Sequence, residues 1–273
     1  KRIDENGYIY FQPVGGWWPQ VLLAQQVIIT TYKGKEIFGF IGCKPPHVLK
    51  AEKRKEMVQI EDMFIDLGVS SKQEVIDLGI QIGDMITPKT EYRKMNNDKY
   101  LFGKAMDNRI GCAIVVDVMK KLNNPTNQIY GVATVQEEIG LRGAATCANL
   151  INPDLAIAID TSIAGDTPKM TEDEAAAKIG EGPVLIVMDA TTLGTSSLRE
   201  EIQNVAKKHN IKVQTDFTPG GGTDAGRMHL AHDGAPVISM AIATRYIHSH
   251  GSIIHEDDYN TCVDLIVNFI NEL

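Results

Sequence analysis

The sequence holds 273 residues, of which 43% are hydrophobic and 23% charged, with a formal net charge of −8. That composition is typical of a soluble globular chain, long enough for one large domain or two modest ones, and excludes disordered and fibrous classes. The 35 acidic against 27 basic side chains argue against sequence-independent binding to nucleic acid or an anionic membrane surface. No apolar run approaches the ~18 residues that span a bilayer.

From Tyr8 to about Pro88 the apolar residues alternate or cluster in short runs: YIYF, VLLAQQVIITTY, EIFGFIG and MFIDLGV. QPVGGWWPQ and GCKPPH punctuate them, which predicts a compact β-rich unit. Its one charged helical stretch, LKAEKRKEM, reads as a solvated face. Beyond about Lys94 buried runs alternate with helical segments: IGCAIVVDVMKKL, IYGVATV, ATCANLI, LAIAID, LREEIQNVAKKHN and APVISMAIA. This order predicts crossover units and a largely parallel sheet, hence two domains in all. Cys43, Cys112, Cys147 and Cys262 show no paired spacing. They read as reduced, separately buried thiols of a cytoplasmic protein rather than a disulfide frame or a zinc finger.

In parallel sheets, ligands gather beyond the C-terminal ends of the strands. IYGVATV ends in Gln136, Glu137 and Glu138, LAIAID ends in Asp160, and APVISMAIA runs into TRYIHSH with Arg245, His248 and His250. In KAMDNRIG, Asp107 precedes an apolar helix and can lie at its N-terminus. Four segments thus bring Asp107, Glu138, Asp160 and His248 to one rim. Carboxylates packed so closely need a compensating charge, which a divalent cation supplies better than a lysine.

Taken singly, each residue has a plainer explanation. Glu137 and Glu138 suit the first turn of a helix, Asp160 before Thr161 and Ser162 suits a helix cap, and a lone histidine is more often structural. Together they are the ligand types that zinc, cobalt and manganese accept. His229 and His232 lack the intervening glutamate of a zinc-protease helix, and His47 and His255 read as loop residues. GGGTDAG, residues 220–226, lacks the lysine and spacing of a P-loop. Its glycines suit a turn that lets backbone, at Gly222, approach a site, with Asp224 orienting a neighbour or binding a substrate amine. No nucleophile-elbow pattern supports a serine triad.

VGGWWPQVLLAQQV, GCKPPH, FIDLGVSS, KAMDNRIGCA, TVQEEIGLRGA, AIAID with AGDTP, GGGTDAG and ATRYIHSH together resemble the tetrahedral metallo-aminopeptidases. That family contains glutamyl aminopeptidases and has also been described as cellulase or endoglucanase. The similarity runs nearly end to end. It implies an α/β fold in which residues 94–273 form the metallopeptidase domain, a mainly parallel sheet with helices on both faces. Residues 1–10 would be a remnant of that domain, and residues 11–93 an inserted β-rich dimerisation domain. Dimers would assemble into a homododecamer, a hollow tetrahedron acting on short peptides. Two divalent metals per subunit, zinc or cobalt or else manganese, are implied. Carried over by motif, Asp107 bridges the two, Glu138 and His248 complete one ligand set, Asp160 serves the other metal, and Glu137 is the general base. Arg245, Gly222 and Asp224 would contact substrate.

The chemistry suits these residue types independently. Two bridged divalent ions roughly 3.5–4 Å apart lower the pKa of a bound water and polarise the scissile carbonyl. A neighbouring carboxylate can move that water's proton to the leaving amine. Adjacent strand-end side chains point to opposite sides, so one glutamate can ligate while the next acts as base.

The resemblance also implies a histidine for the second metal, from an HxDE motif shortly before the segment matching KRIDENGYIYF, and the sequence given begins after it. The expectation is an active enzyme whose full length includes that motif. One rival is an inactive assembly subunit with a defective second site. A glycosidase is the other, though its carboxylates flank a sugar from positions ~5 to 9.5 Å apart, unlike adjacent Glu137 and Glu138.

Overall fold

The computed structural model describes all residues from Lys1 to Leu273. They divide into two compact units, Lys1–Glu91 with His248–His250, and Tyr92–Ile247 with Gly251–Leu273.

The first unit is built from β1 (Arg2–Ile3), β2 (Ile9–Tyr10), β3 (Gln26–Thr30), β4 (Glu36–Cys43), β5 (Met63–Asp66), α1 (Lys72–Asp77) and β6 (Met85–Pro88). Its strands form one six-stranded sheet in the order β1-β2-β5-β4-β3-β6. Period-two alternation decides its inner face, because along β4 burial alternates and Ile37 and Ile41 turn inward. They meet Val27 and Ile29 of β3, Met63 and Ile65 of β5, and Val75 of α1. The first ten residues, assigned above to the catalytic domain, supply β1 and β2 to this sheet. LKAEKRKEM forms only one exposed 3-10 turn, at Lys53–Lys55.

The second unit comprises β7 (Arg93–Lys94), β8 (Tyr100–Gly103), α2 (Met106–Lys121), α3 (Arg142–Ile151), β9 (Ala156–Ile163), β10 (Val184–Asp189), α4 (Ser196–Lys208), β11 (Gln214–Thr218), α5 (Ala225–Met228), β12 (Val237–Thr244), β13 (Ser252–His255) and α6 (Glu256–Glu272). The central sheet runs β11-β10-β12-β9, beside a three-stranded sheet β13-β8-β7. β10–β11 and β12–β9 pair parallel and β10–β12 antiparallel, so the sheet is mainly parallel, as expected, with one reversed pairing.

β12 is buried along its whole length because both of its faces are covered. Ile238, Met240 and Ile242 pack with Ile114 and Val118 of α2, Leu198 and Ile202 of α4, and Leu265, Ile266 and Phe269 of α6. On the opposite face Ala241 and Ala243 meet Ala177, Ile179 and Ile186, and Val237 meets Ala225 of α5. The i, i+3, i+4, i+7 spacing of Cys262, Leu265, Ile266 and Phe269 turns one stripe of α6 to this core.

Three sequence expectations are corrected. IYGVATV, residues 129–135, forms no strand. Its last backbone acceptor is taken by a helix start, since the Val135 carbonyl receives the Gly143 amide at 2.9 Å, and helix starts have free N–H groups to offer. Of the four free cysteines only Cys262 is buried, and Cys112 is exposed. His255 is not in a loop: it ends β13 and caps α6, its side chain accepting the Asp257 amide. No helix is long and apolar enough to cross a membrane.

Ile65 is fully buried at the centre of the first unit. Ile65→Ala is expected to cost that unit about 2–5 kcal/mol. Urea unfolding followed by tryptophan emission reads it directly, because both tryptophans, Trp17 and Trp18, lie in that unit.

Candidate metal centre

Asp107 stands where α2 has not yet settled into helical geometry. Ala105 before it is left-handed (φ 51°), and Asp107 and Asn108, joined by a cis peptide, have non-helical dihedrals. Asn108 pins this turn by donating from Nδ2 to the Ile159 carbonyl at 2.7 Å and accepting the Gly111 amide at 2.9 Å. Gly111 permits the contact, since a Cβ there would lie 2.7 Å from the Ile159 oxygen. The start of α2 therefore rests on β9 one residue from Asp160. Sequence reasoning missed Asn108 and Gly111, whose roles appear only once β9 is known to lie beneath them.

Glu137 and Glu138 occupy a tight turn ahead of α3. Gln136 is left-handed (φ 58°), and the Glu137 carbonyl accepts the amides of Gly140 and Leu141 at 3.0 and 2.9 Å. Gly143 closes the turn, because a Cβ there would come 2.5 Å from the Val135 nitrogen.

His248 follows left-handed Tyr246 (φ 64°) and is itself left-handed (φ 59°). Its carbonyl accepts the Trp18 amide at 3.1 Å, and a Cβ on Gly16 would lie 3.2 Å from its Nδ1. The VGGWWP segment thus braces this histidine.

Asp107, Glu138 and His248 each offer a ligand atom, and these atoms all lie within 4.8 Å of one another. Two carboxylates and an imidazole are a donor set that zinc and similar divalent ions accept. Asp160 is outside this trio and only 8% exposed. Burial first, then the charge of Asp107, with Glu137 and Asp224 adding to it, holds its carboxyl well above the usual range; the Thr161 amide, 2.8 Å away, works the other way.

Asp224 immediately precedes α5 without capping it through its side chain, and burial raises its carboxyl against the opposing Thr134 hydroxyl, which donates to Oδ2 at 2.6 Å. Its Oδ1 is buried without a hydrogen-bond partner. The GGGTDAG turn that carries it is anchored by Asp189. Asp189 Oδ2 accepts the Thr223 amide and hydroxyl at 3.1 and 2.9 Å, while Oδ1 accepts from Thr191 and Thr192. Gly222 packs on Thr191, whose Cγ2 would stand 2.6 Å from an added Cβ.

The remaining candidates lie elsewhere. Arg245 is paired with Asp166. His229 bonds the Ala225 carbonyl, and His232 the Asn149 carbonyl. His250 is buried beside Trp17, and that burial pushes its imidazole down to about 4 against the opposing Gln26 carbonyl.

The family model described as M42 glutamyl aminopeptidase matches residues 1–265. The chain belongs to the M42 glutamyl aminopeptidase family. It is 35% identical to the glutamyl aminopeptidase of Lactococcus lactis over 95% of this chain and 72% of that one. The TET aminopeptidase of a marine-sediment Thaumarchaeota archaeon superposes with a TM-score of 0.97 at 40% identity, over 100% of this chain and 77% of that one. The Pyrococcus horikoshii TET1 peptidase, described as able to assemble into a tetrahedron or a large octahedral shell, superposes with a TM-score of 0.84 at 30% identity. That match covers 99% of this chain and 79% of the other. M42 peptidases are metal-dependent aminopeptidases, and the Asp107, Glu138 and His248 group provides a cluster that could hold a metal ion.

The charges acting on buried Asp160 are all negative. In protein stripped of metal, Asp160→Asn keeps an acceptor for the Thr161 amide and removes that repulsion. Calorimetry of the chelator-treated protein is expected to show the variant melting a few degrees higher than the parent.

Proposed function

We propose that this chain removes N-terminal residues from short peptides in a reaction that depends on divalent metal, with Glu137 as general base. The observation that carries the proposal is the convergence of the Asp107, Glu138 and His248 ligand atoms, with Glu137 adjacent to Glu138 in sequence. Asp107, Glu138 and His248 would hold one divalent cation, and Asp107 with Asp160 a second, with zinc, cobalt and manganese all suited to the donors. Bound there, the cations would supply positive charge that makes a water more acidic and polarises the scissile carbonyl.

The chain's own groups do the rest. The Glu137 carboxylate takes the proton of the attacking water and returns it to the leaving amine nitrogen as the peptide C–N bond breaks. Asp224 Oδ1, buried without a partner, is available to accept from the α-ammonium of the substrate. Gly222, in the turn anchored by Asp189, lets main chain come near the substrate backbone.

Residues 11–93 would serve as the dimerisation domain of a peptidase domain spanning 94–273, in a homo-oligomer that reaches a dodecamer in the cytoplasm. The assembly described for the TET1 peptidase, matched across almost the whole of this chain, supports the homo-oligomer.

Glu137→Gln keeps the size and removes the base. Metal content measured by elemental mass spectrometry is expected to equal that of the parent, while kcat on aminoacyl anilides falls about 10²–10⁴-fold. A variant with parental kcat would take Glu137 out of the mechanism. Chelation should abolish turnover of the parent, and added cobalt or zinc should restore it.

A further inference from the structure

The loop that carries His248 has a tied neck. Arg245, the first residue after β12, exchanges two backbone hydrogen bonds with Ile253 of β13, N to O at 3.0 Å and O to N at 3.1 Å. Ser252 Oγ donates to the Tyr246 carbonyl at 3.1 Å, closing the same neck. Residues 246–252 are thus pinched off as a small loop with His248 near its tip.

The Arg245 side chain ties this neck to the strand that bears Asp160. β12 and β9 run parallel in register as far as Thr244 and Ile163, and the Ala164 amide donates to the Thr244 carbonyl at 3.0 Å. Just beyond, Arg245 Nε and Nη2 donate to Asp166 Oδ1 and Oδ2 at 2.9 and 2.6 Å. The two side chains are only 24% and 19% exposed, and the guanidinium lies 5.7 Å from the centroid of the Tyr100 ring. Two parallel charge-assisted bonds fix orientation as well as distance, which a lysine in this position would not do. Burial works against the Asp166 charge, and the bonds from Arg245 outweigh it, leaving that carboxyl below its usual range.

We propose that Arg245 is a positioning residue, which together with Asp166 holds the His248 loop in register with the Asp160 strand so that the imidazole stands ready as a metal ligand. Asp166 takes the Nε–Nη2 edge of the guanidinium and fixes its plane, and on this reading Arg245 acts through the His248 loop. The inference rests on the metal-centre reading above. Partners that orient a ligand without touching the metal commonly alter affinity 10–100-fold when removed.

The test titrates the full-length chain with cobalt(II) alone and then measures anilide turnover at saturating cobalt. Arg245→Met and Asp166→Asn are each expected to weaken cobalt binding about tenfold, and the double variant no more than either single one. KM at full occupancy should stay within about twofold of the parent, and the amides of residues 246–252 should exchange hydrogen faster. Unchanged cobalt affinity in the single variants overturns the inference and leaves the metal centre standing. So does a raised KM at parental affinity, which would make Arg245 a substrate contact. A parent that binds no cobalt overturns both readings. Should Arg245→Met fail to fold, Arg245→Lys and Asp166→Asn carry the same measurements, with weakened cobalt binding expected from each.

Discussion

Mutual repulsion among carboxylates is the constraint on which the rest of the second unit depends. Asp160 is buried, and the charges it feels come from Asp107, Glu137 and Asp224. Water would relieve such repulsion at an open surface; here burial withholds it. The scaffold answers with directed hydrogen bonds. Asn108 fastens the Asp107 turn to β9, Thr134 engages one oxygen of Asp224, and Asp189 gathers the Thr191, Thr192 and Thr223 donors beneath the glycine turn. None of these residues carries positive charge. They fix the geometry of the turns that carry the carboxylates.

Left-handed backbone recurs at the turns that carry these side chains, as it does in several turns elsewhere in the chain. Ala105, Gln136, Tyr246 and His248 have positive φ without being glycine, and each is within two residues of Asp107, Glu137 or His248, or is that residue. Such conformations are uncommon and cost roughly 1–3 kcal/mol apiece, so they persist where surrounding contacts over-determine them. Here those contacts include the bonds from Gly140 and Leu141 to Glu137 and from Trp18 to His248. An unstrained turn would aim these side chains elsewhere.

Much of this was legible in the sequence, and the reasons differ from residue to residue. β4 could be read because its alternation reflects a sheet with one face buried. Asp107, Glu138 and His248 could be found because strand ends and helix starts concentrate ligand types. Residues 129–135 misled because an alternating apolar run looks the same whether or not a neighbouring strand completes its ladder. α1 and α6 went unread although Ser71 with Glu74 spells the S-x-x-E of a capping box, with the Ser71 hydroxyl accepting the Glu74 amide, and α6 shows a clean helical stripe. Asn108, Gly111 and Asp189 left no local signal, since their partners are distant along the chain. Nor does anything in the letters ATRYIHSH show that the arginine faces Asp166.

Because β12 is buried from Val237 through Thr244 and feeds straight into the Arg245 neck, the chain has no slack ahead of His248. A strand whose every side chain has an assigned pocket cannot gain or lose a residue without exchanging its two faces. That would set Ile242 among the alanines opposite it and carry the histidine out of reach. A change of length in this stretch would be tolerated best past the imidazole, beyond the strand and its neck. Insertions and deletions among relatives should spare the approach to the ligand and collect just past it.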